Sequence, residues 1–394
     1  MSGARAAAVR RRRVALADVA RSAGVSVTTA SIVLNKTSQP DRIGDDTRRR
    51  VEQIAAELGY VPNYHAQSMR RGASQTLAVC LNVRHEPNVE LAPGEPNNIE
   101  LAKTYFGHLI GGIETEARNA GYLTTIVGPD GTGDAVDRAL LRLRQRQFDA
   151  VIVPCVLLNA EATERLAKQV AETRPSAGGP VVVVEPRVST ALPEVRFDDE
   201  EAGKLIADHL LKLGHRHLVW VGPENRPGDA TERRLAGIRS RCGEAGATME
   251  ERYFSLERFF RRSTLIAQPA VACIADWIKE HRDAKGKGPL PKGTTAVIAY
   301  NDPVAIGVCQ ALTAAGISVP NDVSVAGFDN VEGALCTPPL TSVDHRLTHM
   351  GELAARLALG RIDDEATEDL GESHLCVAPT LAIRESTGPA PKAD

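Results

Sequence analysis

The stretch from residue 27 to residue 35 carries side chains that suit contact with a nucleic-acid duplex. Three hydroxyl groups there can donate and accept hydrogen bonds, and branched apolar side chains lie beside them. A helix of this kind can lie in a DNA major groove and present its first turns to base edges. The pattern therefore predicts reversible, non-covalent contact with DNA. The side chains on its predicted outward faces are Thr28, Thr29, Ser31 and Ile32.

Two short helices joined by a tight turn would hold those side chains in place. Gly24 can adopt the positive φ that ends a helix. Ser26 is a good N-cap for a second helix that begins at Val27. Both helices have an apolar side, which would pack inwards and leave the polar residues outside. The apolar positions at helical spacing are Val19, Ala20, Ala23, Ala30, Val33 and Leu34.

The net charge of −3 hides an asymmetry between the two ends of the chain. Residues 1–72 hold 13 Lys or Arg against 6 Asp or Glu, whereas the remainder holds 34 against 44. A basic head on an acidic body indicates a polyanionic partner for the head alone. Arg48 and Arg49, with the run Arg10–Arg13, are candidates to neutralise phosphates.

From about residue 74 the pattern changes to strands that alternate with helices. Runs rich in Val and Ile, such as Thr295–Tyr300, predict parallel strands that are buried on both faces. The alternation implies doubly wound α/β sheets. A second series begins near Val195, and a crossing near Pro186 predicts two lobes with a cleft between them. Such lobes close on a small ligand by a hinge motion.

Polar and aromatic side chains are predicted to line that cleft. Ligands of open parallel sheets bind beyond the carboxyl ends of the strands, and charged residues follow several predicted strands here. Acids, an Asn and an Arg near aromatic rings suit hydroxylated ligands such as sugars or nucleosides. The candidates are Tyr105, Phe106, Glu185, Arg187, Arg233, Arg234, Asn301, Asp302 and Asp329.

Several candidates also have a purely structural alternative. Asp302 would merely cap the helix that it opens, and Asp329 would merely hold a turn. Glu185 and Arg187 would form an exposed strand exit. Ile32 would pack in the core of the head instead of facing DNA.

The order and spacing of several strings resemble the lactose-repressor/galactose-repressor (LacI/GalR) family of transcriptional regulators. The resemblance covers roughly residues 14–388. It implies an all-α helix-turn-helix DNA-binding head and an α/β two-lobed sensor domain like a periplasmic binding protein. The strings, which begin at residues 14, 45, 63, 210, 233, 296, 318, 338 and 383, are VALADVARSAGVSVTTASIVLN, DDTRRRVEQIAAELGYVPN, NYHAQSMRRG, LLKLGHRHLVWVG, RRLAGI, AVIAYNDPVAIG, SVPNDVSVAGFDN, PPLTSV and IREST.

The resemblance places Val27, Thr28 and Ile32 where the family reads bases. The family commonly has Arg at the position of Ile32, so a bidentate contact to guanine is absent here. Val27 and Ile32 can instead contact thymine methyl groups, and the preferred half-site is expected to differ from the common family pattern. The full set of expected DNA-binding residues is Val27, Thr28, Thr29, Ser31, Ile32, Asn35, Asn63, Ala66 and Met69.

The segment that begins at Asn63 resembles the hinge of the family. There this segment orders on operator DNA as a short helix, pairs with its dimer mate and wedges an apolar side chain into the minor groove. Met69 stands where Leu is usual, and because Met is flexible and apolar, wedging is still expected. A plain linker is the alternative.

The resemblance implies a chain of successive segments. Residues 84–103 depart from the family as a long stretch rich in Pro and Asn, which would form a surface insertion or a lid on the cleft. The expected segments are a basic tail (1–13), a DNA-binding domain (14–61), a hinge (62–73), a sensor (74–388) and a second tail (389–394). The sensor lobes are expected over 74–187 with 346–370, and over 188–345 with 371–388.

The sequence lacks the motifs of an enzyme, and no cofactor is expected. It contains neither a GxxxxGK[ST] phosphate loop nor a GxSxG elbow. His215 with His217, and His345 with His349, each lack further ligands, so no metal is expected. No run approaches the length of a membrane span, and seven scattered cysteines suit the reduced thiols of a cytoplasmic protein.

These observations predict a cytoplasmic transcriptional regulator, in the first place a repressor, that has no membrane partner. Its expected partners are a palindromic double-stranded operator, a small-molecule effector of the sugar, polyol or nucleoside class, and a second copy of itself. The alternative is a sugar-binding receptor module without a DNA function.

Overall fold

The structure is a computed structural model of the chain. Contacts within the chain separate two compact units, residues 1–74 and residues 75–394, and each is described by itself. None of the helices in the described part of the chain is long and apolar enough to cross a bilayer. The described residues are 14–35, 43–81, 98–128, 135–172, 179–224, 230–254, 267–281, 293–362 and 373–391. The basic tail predicted at 1–13 lies outside them.

The first unit is helical and closes a small apolar core. The tight turn predicted between its first two helices is confirmed, because Gly24 has a φ of +62° and Oγ of Ser26 accepts a hydrogen bond from the amide of Thr29 at 3.0 Å. The helices are α1 (Leu16–Ser22), α2 (Val27–Leu34), α3 (Asp45–Glu57) and α4 (Tyr64–Arg71). The core side chains are Val19, Ala20, Ala23, Ala30, Val33, Val51 and Ala55.

The second unit contains two sheets, and the first of them is parallel throughout. Its strands are apolar and almost fully buried at the centre, as expected for a sheet that is covered on both faces. In the order in which they pair, the strands are β11 (His374–Val377), β5 (Glu194–Phe197), β4 (Val181–Val184), β3 (Ala150–Pro154), β1 (Thr76–Cys80) and β2 (Leu123–Val127). The helices of this lobe are α5 (Asn98–Asn119), α6 (Ala135–Arg144), α7 (Ala160–Glu172) and α12 (Leu347–Gly360).

The second sheet forms the other lobe and is parallel except at one edge, where the last two strands of its order are antiparallel. In pairing order, its strands are β7 (Thr248–Phe254), β6 (His217–Pro223), β8 (Ala296–Ala299), β9 (Ser324–Asp329), β10 (Thr341–Asp344) and β12 (Thr380–Ala382). Its helices are α8 (Asp199–Lys212), α9 (Ala230–Glu244), α10 (Ala267–His281) and α11 (Asp302–Ala314).

The sheet order corrects the predicted boundaries of the lobes. Strand β5 pairs with β4, and β11 pairs with β5, so both strands belong to the first lobe although they were expected in the second. The chain therefore crosses between lobes after β5, near Phe197, and not near Pro186. Within the described residues it crosses again between β10 and α12, and between β11 and β12.

Two further expectations about loose segments are corrected. Helix α5 begins at Asn98, so residues 98–103 of the expected insertion are helical, while its residues 84–97 lie outside the described part. The tail expected from residue 389 is tied at its start, because the amide of Ala390 donates to the carbonyl oxygen of Leu213 at 2.8 Å.

Candidate DNA-reading face and ligand site

Helix α2 presents an outward face that matches the expected base-reading side chains. Val27 is 50% exposed and Thr28 is exposed, whereas Ala30 and Val33 turn into the core. Ile32 is half-buried and does not belong to the described core cluster, which disfavours the alternative of a core residue. A spacing of four residues places Thr28 and Ile32 on the same side of the helix.

Other expected DNA contacts are engaged within the protein. The hydroxyl of Thr29 lies 2.8 Å from the hydroxyl of Ser26, so it contributes to the N-cap of α2. Asn35 donates to the carbonyl oxygen of Ser31 at 2.8 Å and accepts from Gln67 at 2.8 Å. These side chains stabilise the ends of α2, a structural role that the sequence analysis did not assign to them.

The hinge segment forms helix α4 in this structure. Asn63 precedes the helix, and its Oδ1 accepts a hydrogen bond from the amide of Ala66 at 3.4 Å. Both residues are exposed. The side chain of Met69 lies outside the described part of the structure, so its predicted wedge stays a prediction.

The centre of the candidate ligand site is Arg234, which is only 4% exposed. Its Nε donates to Asp199 at 2.9 Å, its Nη1 to the carbonyl oxygen of Tyr300 at 2.6 Å, and its Nη2 to Nε2 of His345 at 2.8 Å. Its guanidinium also lies over the ring of Phe328, 4.6 Å from the centroid. Burial alone would lower the pKa of Arg234, but Asp199, Tyr300 and Asp329 together more than offset that effect and raise it.

Arg233 is the more accessible of the two neighbouring arginines. Its side chain is 32% exposed, and its Nη2 lies 2.6 Å from Oδ2 of Asp199. The same nitrogen lies 4.0 Å from Oε2 of Glu185. Glu185 follows β4 in the first lobe and Arg233 lies in α9 of the second, so this contact joins the two lobes across the cleft.

His345 is held neutral beside these charges. Burial, and then the neighbouring Arg234, lower its pKa well below the usual value for histidine. Because an arginine only donates, Nε2 of His345 must accept, and the proton of the neutral ring must lie on Nδ1. That Nδ1 lies 3.2 Å from Oδ1 of Asp329. The ring also stacks on Phe197, with 3.9 Å between centroids.

The carboxyl groups that border the cleft have raised pKa values. Burial raises the pKa of Asp329 to about 7. Burial, and then the neighbouring carboxylate of Asp199, raise the pKa of Glu185. Burial, and then the charges of Glu185 and Asp329, raise the pKa of Tyr105 well above its usual value. The positively charged arginines of α9 and the carboxyl groups of Asp199, Glu185 and Asp329 therefore lie within one small volume.

Beside Asp329 a polar groove of about 510 Å³ opens to the surface. It is bordered by the end of β9, by the crossing from β10 into α12, and by the first half of α5. This size falls within the range of small-molecule sites. Its polar walls include His108, Asp329, Asn330, Asp344, Arg346 and Glu352.

Asp302 has a different role from either one expected. Its Oδ2 accepts hydrogen bonds from the amides of Val331, Glu332 and Gly333 at 2.9–3.2 Å, and its Oδ1 accepts from the hydroxyl of Ser342 at 2.6 Å. It is fully buried, so it fixes the loop after β9 and does not face a ligand. The cap of α11 is its neighbour Asn301, whose Oδ1 accepts from the amide of Val304 at 3.1 Å.

Two more expected ligand contacts also have structural roles here. Phe106 is 4% exposed and packs in the core between sheet and helices, with the ring of Tyr105 5.5 Å away. Arg187 donates from Nε to the carbonyl oxygen of Leu158 at 2.6 Å, so it ties the exit of β4 to the loop after β3. These contacts explain why neither side chain joins the cluster around Arg234.

Asp199 and His345, which are central to the cluster, are not among the ligand-binding residues predicted from the sequence. Each follows the carboxyl end of a strand, β5 for Asp199 and β10 for His345, and that rule would have found them. Asp199 was hidden in the acidic run from residue 198 to 201, which is typical of a helix start. His345 was considered only as a metal ligand. In the described part of the chain no group of three or more His, Cys, Asp or Glu residues could hold a metal ion.

Sequence comparisons agree with the architecture of both units. Residues 15–63 match the family described as "Bacterial regulatory proteins, lacI family", and residues 207–387 match a "Periplasmic binding protein-like domain". The chain is 28% identical over 374 residues to the HTH-type transcriptional regulator DegA of Bacillus subtilis (strain 168), covering 94% of this chain and 97% of that protein. It is 27% identical over 372 residues to the HTH-type transcriptional repressor PurR of Vibrio vulnificus, with the same coverage.

Solved structures show the same fold. A lac repressor dimer bound to operator and the anti-inducer ONPF matches with a TM-score of 0.70 and 22% identity, covering 96% of this chain and 100% of that one. A complex of the transcriptional regulator CelR with cellobiose matches with a TM-score of 0.59 and 24% identity, covering 95% and 100%.

The fold and the two sites define a DNA-binding protein whose helix-turn-helix head is joined to a two-lobed binding domain. The chain belongs to the LacI/GalR family of transcriptional regulators. It is accordingly a regulator of transcription and not an enzyme. A receptor module without a DNA function would leave the matched DNA-binding domain unexplained.

Proposed function

We propose that this protein is a cytoplasmic repressor that binds a palindromic operator as a homodimer, and that a small hydroxylated metabolite sets its affinity for DNA. Val27, Thr28 and Ile32 read the half-site from the exposed face of α2. Since none of them is a bidentate donor, thymine methyl groups are the principal features that they recognise. Met69 is the proposed wedge in the minor groove.

The observation that carries the proposal is the contact between Arg233 and Glu185. These side chains come from different lobes and approach to only 4.0 Å, beside the exposed part of the cluster. A ligand that accepts from Arg233 and donates to Glu185 and Asp329 replaces this weak direct contact with two stronger ones. Sugars, polyols and nucleosides carry hydroxyl groups that do both. Such a ligand changes the angle between the lobes, which is how two-lobed proteins respond to ligands.

If a ligand between the lobes sets the affinity for DNA, ligand binding and DNA binding are linked equilibria. An effector shifts DNA affinity only as far as it binds the two lobe arrangements differently, typically by about 1–3 kcal/mol. Tyr105 in α5 lies on the first lobe and Asp329 in β9 on the second, so a ligand between them contacts both. The proposed ligand contacts are therefore Tyr105, Glu185, Arg233 and Asp329.

Selection of duplexes from genomic fragments by the purified protein tests this function. The expected result is enrichment of a palindromic sequence, and an affinity for it that changes when one of a panel of sugars, polyols and nucleosides is added. Fluorescence anisotropy with the selected duplex measures that change. No preference over random competitor DNA, with or without every compound of the panel, would contradict the proposal.

A further inference from the structure

A chain of hydrogen bonds joins the end of α2 to the hinge helix α4. Asn35, which ends α2, donates from Nδ2 to the carbonyl oxygen of Ser31 at 2.8 Å and to its Oγ at 3.1 Å. Gln67 in α4 donates from Nε2 to Oδ1 of Asn35 at 2.8 Å. Since Gln67 and Asn35 are 32 residues apart in the chain, their bond is a tertiary contact and not a local turn.

Hydrogen-bond chemistry fixes the direction of this chain. A backbone carbonyl only accepts, so the amide nitrogen of Asn35 must face Ser31 and its oxygen must face α4. That oxygen then requires a donor, and the amide group of Gln67 supplies one. Asn35 is therefore a connector whose two ends have different chemistry. A residue that only accepts at position 67 could not replace Gln67 without turning Asn35 away from Ser31.

The hydrogen bond between Gln67 and Asn35 lies in surroundings that strengthen it. Asn35 and Gln67 are both half-buried, and a hydrogen bond is stronger where water is partly excluded. Helix α4 has only eight residues, a length at which an isolated helix is marginal in water. The tertiary bond between Gln67 and Asn35 therefore helps to hold α4 in place.

We infer that Gln67 is a positioning residue for operator recognition, which fixes the end of α2 through Asn35 only while α4 is helical. Unwinding of α4 would remove the donor from Asn35 and loosen the turn of α2 that carries Ser31 and Ile32. The order of the hinge is thereby transmitted to the base-reading face inside one DNA-binding head. This inference rests on the proposed hinge role of α4 at the operator.

A double-mutant cycle on the full-length protein tests the inference. The probes are a palindromic duplex that the wild-type protein selects from a randomised library, and random-sequence DNA of the same length. Gln67→Met keeps the size of the side chain but removes the donor, and we expect it to weaken binding to the selected duplex about 3- to 10-fold, the effect of one hydrogen bond. Binding to random DNA should be nearly unchanged, because phosphate contacts do not depend on the reading face.

Measuring Gln67→Met in variants of Asn35 distinguishes a positioning role of Gln67 from a direct contact of Gln67 with DNA. In Asn35→Ala protein, and in Asn35→Asp protein, which keeps the acceptor for Gln67 but loses the donor to Ser31, Gln67→Met should cost nothing further. A residue that contacts DNA itself would cost the same in every background. Gln53→Met on α3 is the matched control, because the side chain of Gln53 donates to Glu57 on its own helix, and it should leave both affinities unchanged.

The outcomes distinguish this inference from the function on which it rests. Failure of the wild-type protein to select any duplex would overturn the proposed function. Selection of a duplex combined with additive effects of Gln67→Met and Asn35→Ala would overturn only the role of Gln67. Equal losses on selected and random DNA would overturn it as well, because they would indicate a general defect of the head.

Discussion

At the scale of single residues, the two adjacent arginines of α9 have separate roles. Arg234 uses all three of its nitrogen positions on partners within the protein and is nearly buried. Arg233 shares Asp199 with it but keeps about a third of its side chain exposed towards Glu185. Arg234 therefore builds the polar interior between the lobes, and Arg233 is the proposed ligand contact.

Removing each arginine separately should reveal this division. Arg234→Ala removes the donor to the carbonyl oxygen of Tyr300 and to His345 and one of the two arginines that pair with the buried Asp199, and we expect it to lower the free energy of unfolding by about 3–5 kcal/mol. Arg233→Ala should cost less than about 1 kcal/mol, because Asp199 keeps Arg234 and the side chain is partly solvated. Urea denaturation followed by tryptophan fluorescence measures both, since Trp220 and Trp277 lie in the second unit. Equal losses in the two variants would refute the division.

The raised pKa of Asp329 predicts a pH-dependent stability of the second unit. Its folded pKa of about 7 exceeds the value near 3.9 of an unfolded aspartate, so folding favours the protonated form. The stability that this group contributes is fully present below about pH 4 and is lost as the pH rises through 7. We expect the free energy of unfolding to fall between about pH 4 and pH 7. The Asp329→Asn variant should lack the part of this fall that Asp329 causes.

The matched control for that experiment is Asp276→Asn, because Asp276 is an exposed aspartate in α10 of the same unit. It should leave the slope of stability against pH unchanged. Persistence of the full slope in Asp329→Asn protein would mean that another group causes it. Glu185, whose pKa burial also raises, is then the next variant to measure.

At the scale of elements, the sequence predicted which segments are helices and strands better than it predicted their partners. The capped turn at Gly24 and Ser26 and the apolar runs of β3 and β4 follow from local rules, and the structure has them where expected. Strand β5 was assigned to the wrong lobe because its four residues carry no signal that specifies a neighbouring strand.

For the candidate site as well, local rules predicted which residues are involved better than they predicted the partners of those residues. Rules about strand ends grouped Glu185, Arg234 and Asp329, and the structure brings them into one cluster, while their contact with a ligand stays a prediction. They could not show that Asp302 accepts hydrogen bonds from the loop after β9 and from Ser342 in β10, since those partners lie about 30 to 40 residues further along the chain. The contact between Arg234 and His345 spans 111 residues and is equally invisible to local patterns.

Helix α4 carries a prediction about the proposed wedge. Met69→Ala removes the long apolar side chain but substitutes the best helix former, so it separates wedging from helix stability. If the wedge is real, affinity for the selected duplex should fall, by roughly 10-fold or more, although the helix is favoured. Met69→Gly, which also loses helix propensity, should bind still more weakly. Affinity for effector, measured by titration calorimetry, should stay nearly constant in both. Wild-type DNA affinity in the alanine variant would identify α4 as a plain linker.

At the scale of the whole molecule, the charge asymmetry separates the two tasks. Basic residues outnumber acidic ones only before residue 73, while the acidic body carries the candidate ligand site, so electrostatic attraction to DNA acts on the head. In the proposed function, base specificity comes from uncharged side chains on α2, and affinity comes from the arginines around them. The two contributions should therefore respond differently to salt, because only the second releases counterions.

Salt titration tests this separation directly. A dimer whose heads contact about 6–10 phosphates should lose affinity steeply, with a slope of about −0.9 per phosphate in a plot of log affinity against log salt. Arg49 on α3 is exposed and a candidate phosphate contact, so Arg49→Ala should reduce the steepness by about 2 in a dimer that carries two copies. Arg118→Ala makes the same change of charge on an exposed arginine of α5 and should leave the slope unaltered. Since both arginines pair with an acid on their own helix, loss of an ion pair is matched between the variants. A slope that changes equally in both would show that net charge, and not contact by the head, governs DNA binding.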